Sequence, residues 1–220
     1  MQKFATPAPI AAVLDIPAGR VQLIAADRAD TTVDIRPATP GRRRDVQTAE
    51  QTTVTYADGV LTITTPKQPR QLLGPGAIEV TVQLPAGSRV DGRSAASELR
   101  GVGRLGELTF DGAHHHIKID EAARVTLTAV DGDVVLGRLT GPADITTTRG
   151  DIRISDAVRG ALTLTTQQGD IDVTTTPGAS ATLSAGTSYG RVSNALKNNG
   201  TPDLTIEATT THGDITAQAA

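Results

Sequence analysis

The stretch TTTRGDIRISDAVRGALTLTTQQGDIDV, residues 146–173, decides the fold of this chain. It carries one short unit twice, because the Gly-Asp-Ile at residues 150–152 recurs nineteen residues later at residues 169–171. Glycine adopts positive φ without steric strain, and an aspartate beside it can accept backbone N–H bonds at a turn. The repeated unit is therefore predicted to be a corner between two strands.

The same corner recurs on both sides of this stretch. The equivalent residue pairs begin at Ser97, His115, Gly132, Gly150, Gly169, Gly190 and Gly213. Four of these pairs are Gly-Asp, whereas Gly190 is followed by Arg191 and the first two pairs lack glycine. Consecutive corners are 17 to 23 residues apart, a period typical of stacked repeats.

Aliphatic residues alternate with polar ones on both sides of each corner. Two residues after the start of each pair stand Leu99, Ile117, Val134, Ile152, Ile171, Val192 and Ile215. A period of two is that of a strand with one buried face. A rung of about 18 residues at about 3.3 Å per residue has a contour near 60 Å, which side chains fill completely. The pattern predicts an all-β fold, a right-handed β-solenoid (β-helix) of about seven short rungs, in which Ile152 lies between Val134 and Ile171.

The N-terminal part is strand-like but less regular. Residues 1–92 are predicted to form an irregular β-cap or small sandwich, continuous with solenoid repeats in residues 93–220. TVTYADGVLTI, residues 53–63, predicts a hairpin that turns at Asp58-Gly59. The segments RPATPGRRRD (36–45) and PKQPRQLLGPG (66–76) are interpreted as exposed loops.

Composition excludes several classes of protein. The chain has no cysteine, so it has no disulfide and no cysteine metal site. A formal net charge of -3 argues against a nucleic-acid partner. We find no signal peptide and no run of about 20 apolar residues that could span a membrane, and we expect a soluble, cytoplasmic protein that uses no cofactor.

Four motifs together resemble a known family. They are PAGRVQLIAADRADTTVDIRP (17–37), VTVQLPAGSRV (80–90), GVGRLGEL (101–108) and the serial Gly-Asp-Ile turns. The combination is similar to the DUF4097 group, the β-strand-repeat or "putative adhesin" proteins common in actinobacteria. The resemblance implies a solenoid-like β fold, relatives linked to cell-envelope stress, and no catalytic signature.

Two groups of side chains are candidate metal ligands. Asp133, Asp151 and Asp170 would lie about 5 and 10 Å apart along one edge of a stack in register, and a file of carboxylates can bind Ca²⁺. The alternative is that they cap turns beside arginines. His114 and His116 share one face of a strand and could hold a transition metal, or they could form a solvated corner.

These features favour a non-enzymatic scaffold or binding protein. Its partner would be a protein or a component of the cell envelope, and threonine pairs such as Thr126/Thr128 and Thr163/Thr165 would supply a flat docking face. The last rung, GDITAQAA (213–220), has no obvious cap and predicts self-association through that end. The alternatives are a polymer-forming, bactofilin-like solenoid and a carbohydrate-active β-helix enzyme. No catalytic residue is predicted.

Overall fold

The computed structural model describes residues 1–66, 76–113 and 116–220, and nearly all of its regular structure is β-strand. The predicted loop at residues 66–76 therefore lies largely outside the described residues. The chain divides into two compact units, Met1–His115 and His116–Ala220. The predicted division into residues 1–92 and 93–220 stays a prediction.

Unit 1 is built around one long strand. Its elements are β1 (Gln2–Ala5), β2 (Ala11–Ala26), β3 (Asp30–Pro37), α1 (Arg43–Gln51), β4 (Thr53–Ala57), β5 (Val60–Thr64), β6 (Ile78–Pro85) and β7 (Arg89–Ala113). Strand β2 pairs in parallel with β7 along most of the length of β2. On its other side, β2 pairs in parallel with β5 and β6. The inward residues of these strands, such as Leu14, Val21, Ile63 and Val80, are buried.

Antiparallel strands flank this parallel arrangement. Strand β4 pairs antiparallel with β5, and β3 pairs antiparallel with both β6 and β1. The β4–β5 hairpin turns at Asp58 and Gly59, whose φ angles are 50° and 77°. The predicted hairpin is confirmed, because two consecutive residues with positive φ are the signature of the tight turn that matches strand twist.

The interpretation of residues 36–45 as a loop is wrong at both ends, because β3 continues to Pro37 and α1 begins at Arg43. The helix has no apolar stripe, and its buried residues are Asp45 and Thr48. Asp45 Oδ1 accepts the N–H of Ala77 at 3.1 Å, and Thr48 Oγ1 accepts the N–H of Gly76 at 3.2 Å. Contacts distant in sequence therefore hold this helix, and hydrophobic periodicity could not reveal it.

Unit 2 contains two parallel sheets joined by the Gly-Asp turns. Its strands are β8 (Ile117–Asp131), β9 (Val134–Leu139), β10 (Ala143–Arg149), β11 (Ile152–Ala157), β12 (Gly160–Gln168), β13 (Ile171–Thr175), β14 (Ala181–Tyr189), β15 (Val192–Ala195), β16 (Leu204–His212) and β17 (Ile215–Ala219). The strands that precede the turns form the pre-turn sheet, in the order β8–β10–β12–β16–β14. The strands that follow the turns form the post-turn sheet, in the order β8–β9–β11–β13–β17–β15. Residues 117–122 and 125–131 of β8 belong to different sheets.

The predicted stacking is confirmed. Ile152 pairs with Val134 on one side and with Ile171 on the other, and all three side chains are fully buried. Each aliphatic column becomes a ladder in the interior, as a period of two requires when one face of each strand is buried. The fold is an all-β solenoid, and the number of seven rungs stays a prediction.

The order of the stack departs from the order of the sequence. Strands β16 and β17, the last in the chain, lie between the rung of β12–β13 and the rung of β14–β15. The chain therefore skips one layer after β13 and fills that layer with its final rung. The prediction that the C-terminal rung forms the open end is wrong, because both sides of β16 and of β17 are paired.

Burial explains this order. The displaced rung carries Arg191 where four other turns have aspartate, and Asn194 where the other rungs of unit 2 have aliphatic or alanine side chains. The final rung carries Ile206, Ala208 and Ile215, which are buried. Placing the more apolar rung inside buries more apolar surface. The two unusual residues were the signal in the sequence from which this order could have been predicted.

Candidate functional site

The Gly-Asp turns stack directly on one another. The glycines of the stack have positive φ, for example 127° at Gly150 and 146° at Gly213. A Cβ atom on Gly150 would lie 2.3 Å from the carbonyl oxygen of Gly132, and one on Gly213 would lie 2.0 Å from that of Gly169. Both the backbone angle and the close approach of the neighbouring turn therefore require glycine.

The aspartates of the turns form a hydrogen-bonded file, the aspartate ladder. Each carboxylate Oδ1 accepts the backbone N–H of the equivalent residue in the next rung. The bonds run from Asp151 to Asp133 at 3.0 Å, from Asp170 to Asp151 at 2.9 Å, from Asp214 to Asp170 at 2.7 Å and from Arg191 to Asp214 at 2.8 Å. Bonds from N–H groups to an ionised carboxylate are among the stronger hydrogen bonds in proteins, so the ladder links the rungs.

A second file of hydrogen bonds lies beside the ladder. Thr166 Oγ1 donates to the carbonyl oxygen of Gly150 at 3.1 Å, and Thr210 Oγ1 donates to that of Gly169 at 3.0 Å. Both threonines are almost completely buried. This file was not predicted from the sequence, although a threonine three residues before a Gly-Asp pair is the pattern that could have predicted it.

The three aspartates proposed as calcium ligands do lie along one edge, as the register predicts. One oxygen of each carboxylate is committed to the ladder, and Arg153 forms ion pairs with Asp151 at 2.7 Å and with Asp172 at 3.3 Å. The hydrogen bond to Asp172 raises the pKa of Arg153 further. Within residues 1–66, 76–113 and 116–220, no group of three acidic or histidine side chains is arranged to hold a metal ion. The geometry fits turn capping, and calcium binding stays a prediction.

The candidate histidine site is only partly described. His114 lies outside the described residues. His116 is exposed, and its Nδ1 lies 3.5 Å from Asp133 Oδ2. The imidazole therefore sits at the start of the aspartate ladder.

We expect Asp170→Ala to lower the free energy of unfolding by about 1–2 kcal/mol, because the N–H of Asp214 would lose its charged acceptor. Asp170→Asn keeps an oxygen at the same position and should lose clearly less. Urea denaturation followed by circular dichroism measures both values. Equal losses for the two variants would show that the negative charge, not the hydrogen bond, is what the ladder needs.

The outward surface of the pre-turn sheet is a regular array of hydroxyl groups, the threonine face. Its members are Thr126, Thr128, Thr146, Thr148, Thr163, Thr165, Thr205, Thr209 and Thr211. In the central row, Thr128, Thr146, Thr165 and Thr209 are in register on four adjacent strands, about 4.8 Å apart. The predicted threonine pairs thus share one face.

Two carboxylates stand within this array. Asp144 and Glu207 are exposed and are both in register with Thr163, which places them two strands, or about 10 Å, apart. Neither carboxylate forms an ion pair with a residue that the structure describes. The threonine face therefore offers many hydroxyl groups and two accessible negative charges on a flat sheet.

Unit 1 presents a different polar surface. Arg36, Glu79, Arg20 and Glu98 form one row across β3, β6, β2 and β7, and Arg20 Nε lies 3.0 Å from Glu98 Oε2. Shallow cavities of about 310 and 290 Å³ both include Glu79 in their lining. Sites for small organic ligands are mostly apolar and enclosed, so this charged and open surface does not resemble one.

Asp30 in unit 1 forms ion pairs that shift its pKa. Arg28 and Lys3 each lie 2.9 Å from a carboxylate oxygen of Asp30. Their hydrogen bonds, that of Arg28 more than that of Lys3, lower the pKa of Asp30 to about 2. A depressed pKa means that this pairing stabilises the fold above the usual carboxyl range near pH 4 and stops doing so as pH falls towards 2. The shifts at Asp30 and Arg153 both move the group away from neutral pH, which is opposite to the tuning of a general acid or base.

Comparisons with known proteins found one matching family model and several similar crystal structures. A family model described as Toastrack DUF4097 matches residues 12–218, and no curated protein matches the chain in sequence. A crystal structure of a "putative adhesin" from Parabacteroides distasonis is 13% identical, with a TM-score of 0.43 over 98% of this chain and 95% of that chain. A "putative adhesin" from Bacteroides fragilis is 12% identical, with a TM-score of 0.41 and the same coverage. A "putative lipid binding protein" from Parabacteroides distasonis is 10% identical, with a TM-score of 0.40 and again the same coverage.

Among the described residues, none of the helical structure is long and apolar enough to cross a bilayer. The cytoplasmic location expected from the sequence stays a prediction.

Proposed function

The chain belongs to the Toastrack DUF4097 family, as its motifs predicted, and from this premise we propose that it is a non-enzymatic scaffold whose threonine face binds a component of the cell envelope. The observation that carries this proposal is the register of the central row, Thr128, Thr146, Thr165 and Thr209. Four hydroxyl groups at strand spacing form a rigid, flat lattice, whose side chains lose little conformational freedom when a partner docks.

The carboxylates of the turn edge support a structural role and not a catalytic one. The aspartate ladder uses Asp133, Asp151, Asp170 and Asp214 to bind backbone N–H groups of the adjacent rung. A general acid or a nucleophile needs access to substrate and a pKa matched to its task. Carboxylates bound to the backbone in this way are poorly suited to either task.

Asp144 and Glu207 are accessible, but their setting does not favour hydrolysis of a glycan. They lie about 10 Å apart on a flat sheet, where solvent screens both charges. Glycosidases raise the pKa of the acid carboxyl by burying it in an apolar site and use a cleft to distort the sugar. The open face instead suits hydrogen bonding to a hydroxyl-rich or amine-bearing polymer.

Co-sedimentation with purified bacterial cell-wall material tests the proposal. We expect the wild type to sediment with the wall and the double variant Thr146→Lys/Thr165→Lys to remain in the supernatant, because two long charged side chains would separate the face from its ligand. Ser155→Lys on β11 is the matched control, since Ser155 is exposed on the post-turn sheet and its replacement should not change binding. Equal sedimentation of all three proteins would refute the threonine face as the binding surface, and release of soluble sugar would refute the non-enzymatic assignment.

A further inference from the structure

We propose that the rung formed by β14 and β15, the end rung, is a self-association surface that pairs with the same rung of a second copy in a closed dimer. This inference does not depend on the proposed function. Strand β14 pairs with β16, and β15 pairs with β17. On their other side, neither strand has a strand partner within the part of the chain that the structure describes.

The free side of the end rung exposes backbone groups. In a strand paired on one side only, about half of the N–H and C=O groups point away from the neighbour and can template another strand. The loop that follows β15 covers only the beginning of this edge, where the N–H of Ala181 donates to the carbonyl oxygen of Lys197 at 2.9 Å. Much of β14 and all of β15 remain accessible.

Apolar side chains are exposed at the same place. Tyr189 is 69% exposed and Val192 is 47% exposed, whereas Ile215 and Ile171, which occupy the same column as Val192, are buried. Tyr189 belongs to an outward column, in register with His212, whereas the column of Val192, which fills the interior in the other rungs, is open to solvent at this end. Covering both side chains would bury apolar surface in the same way that each internal rung covers its neighbour.

The end rung lacks the features that usually prevent strand edges from associating. Natural edges carry lysine, proline or inward-pointing charges. Residues 181–195 contain one charged residue, Arg191, and no proline or lysine. An edge with so few protective residues is suited to a partner edge that is equally uncharged, and a second copy provides one.

The aspartate ladder ends at Arg191, and the column of Asn194 ends in the same rung. These two ends favour a closed dimer over an open polymer. A further parallel rung would need a carboxylate to receive its backbone N–H, as Asp214 receives that of Arg191, but Arg191 offers none. Asn194 Oδ1 accepts the N–H of Leu196 at 3.0 Å and so completes the rung locally. Antiparallel pairing about a two-fold axis has its own hydrogen-bond pattern and needs no such carboxylate.

Sedimentation velocity over micromolar to millimolar concentrations tests this inference on the full chain. We expect the wild type to convert from monomer to dimer and Val192→Lys to remain monomeric with an unchanged thermal midpoint. Val130→Lys is the matched control, because Val130 is also an exposed valine, at 38%, but lies on β8; it should dimerise like the wild type. A wild type that stays monomeric at every concentration, or that grows into species larger than a dimer, would overturn the proposal.

Cross-linking provides a second, independent result. The chain contains no cysteine, so Asn194→Cys introduces a single thiol at the end rung and Thr209→Cys introduces one on the threonine face. A short bis-maleimide should cross-link the first variant into a covalent dimer and leave the second without a cross-link. If Val192→Lys does not fold, this comparison decides the matter, and equal cross-linking of both cysteine variants would refute the end rung as the interface.

Discussion

Gly150→Ala should lower the free energy of unfolding by about 3 kcal/mol or more, among the larger effects of a single methyl group in this protein. Gly150 has φ of 127°, and its added Cβ would lie 2.3 Å from the carbonyl oxygen of Gly132. The obstacle is backbone, which cannot rotate away like a side chain. The turn must therefore shift, and the hydrogen bond from Asp151 to Asp133 would shift with it.

Two other glycines separate the contributions of strain and of contact. Gly200 has φ of 97° with nothing within 4 Å of an added Cβ, and Gly186 has neither positive φ nor a neighbour within that distance. We expect Gly200→Ala to cost about 1 kcal/mol through backbone strain, and Gly186→Ala to be close to neutral. Urea denaturation with constant m-values gives the three differences. The same loss for Gly150→Ala as for Gly200→Ala would mean that the turns are not in close contact.

Ile215→Ala should destabilise the protein by about 3 kcal/mol, whereas Val192→Ala should cost less than about 1 kcal/mol. Both residues stand two positions after the start of a turn pair, and the sequence pattern assigns them the same environment. In the structure, Ile215 lies between Ile171 and Val192 and is 1% exposed, but Val192 has a neighbour on one side only. Removing the buried side chain leaves a cavity, and removing the exposed one does not.

Ile152→Ala is the reference for a rung whose position was predicted correctly, because Ile152 is fully buried between two neighbours. Its effect should match that of Ile215→Ala within about 1 kcal/mol. If Val192→Ala proved as damaging as Ile215→Ala, the stack would follow the order of the sequence, and the end rung would not be an end. Denaturation of the three variants under one set of conditions provides the comparison.

The candidate functional surfaces were predictable to different degrees. The threonine pairs could be assigned to one outward face because residues two apart on a strand point the same way. The sequence also indicated that aspartates would cap turns, but not that each carboxylate binds the next rung. That bond depends on which turn lies above which: Asp214 binds Asp170, a residue 44 positions earlier in the sequence.

The sequence by itself determined the local unit of this protein: the strand with one apolar face, the Gly-Asp corner, and the hairpin at Asp58-Gly59. These features are local because a period of two and a residue with positive φ restrict only the few residues around them. Only the tertiary structure decided that the final rung lies inside the stack, that α1 forms, and that β14 and β15 provide an unpaired edge. Parallel strands of similar sequence can pair in more than one order, so the order is settled by which rung buries most apolar surface when all of them compete for the same interior.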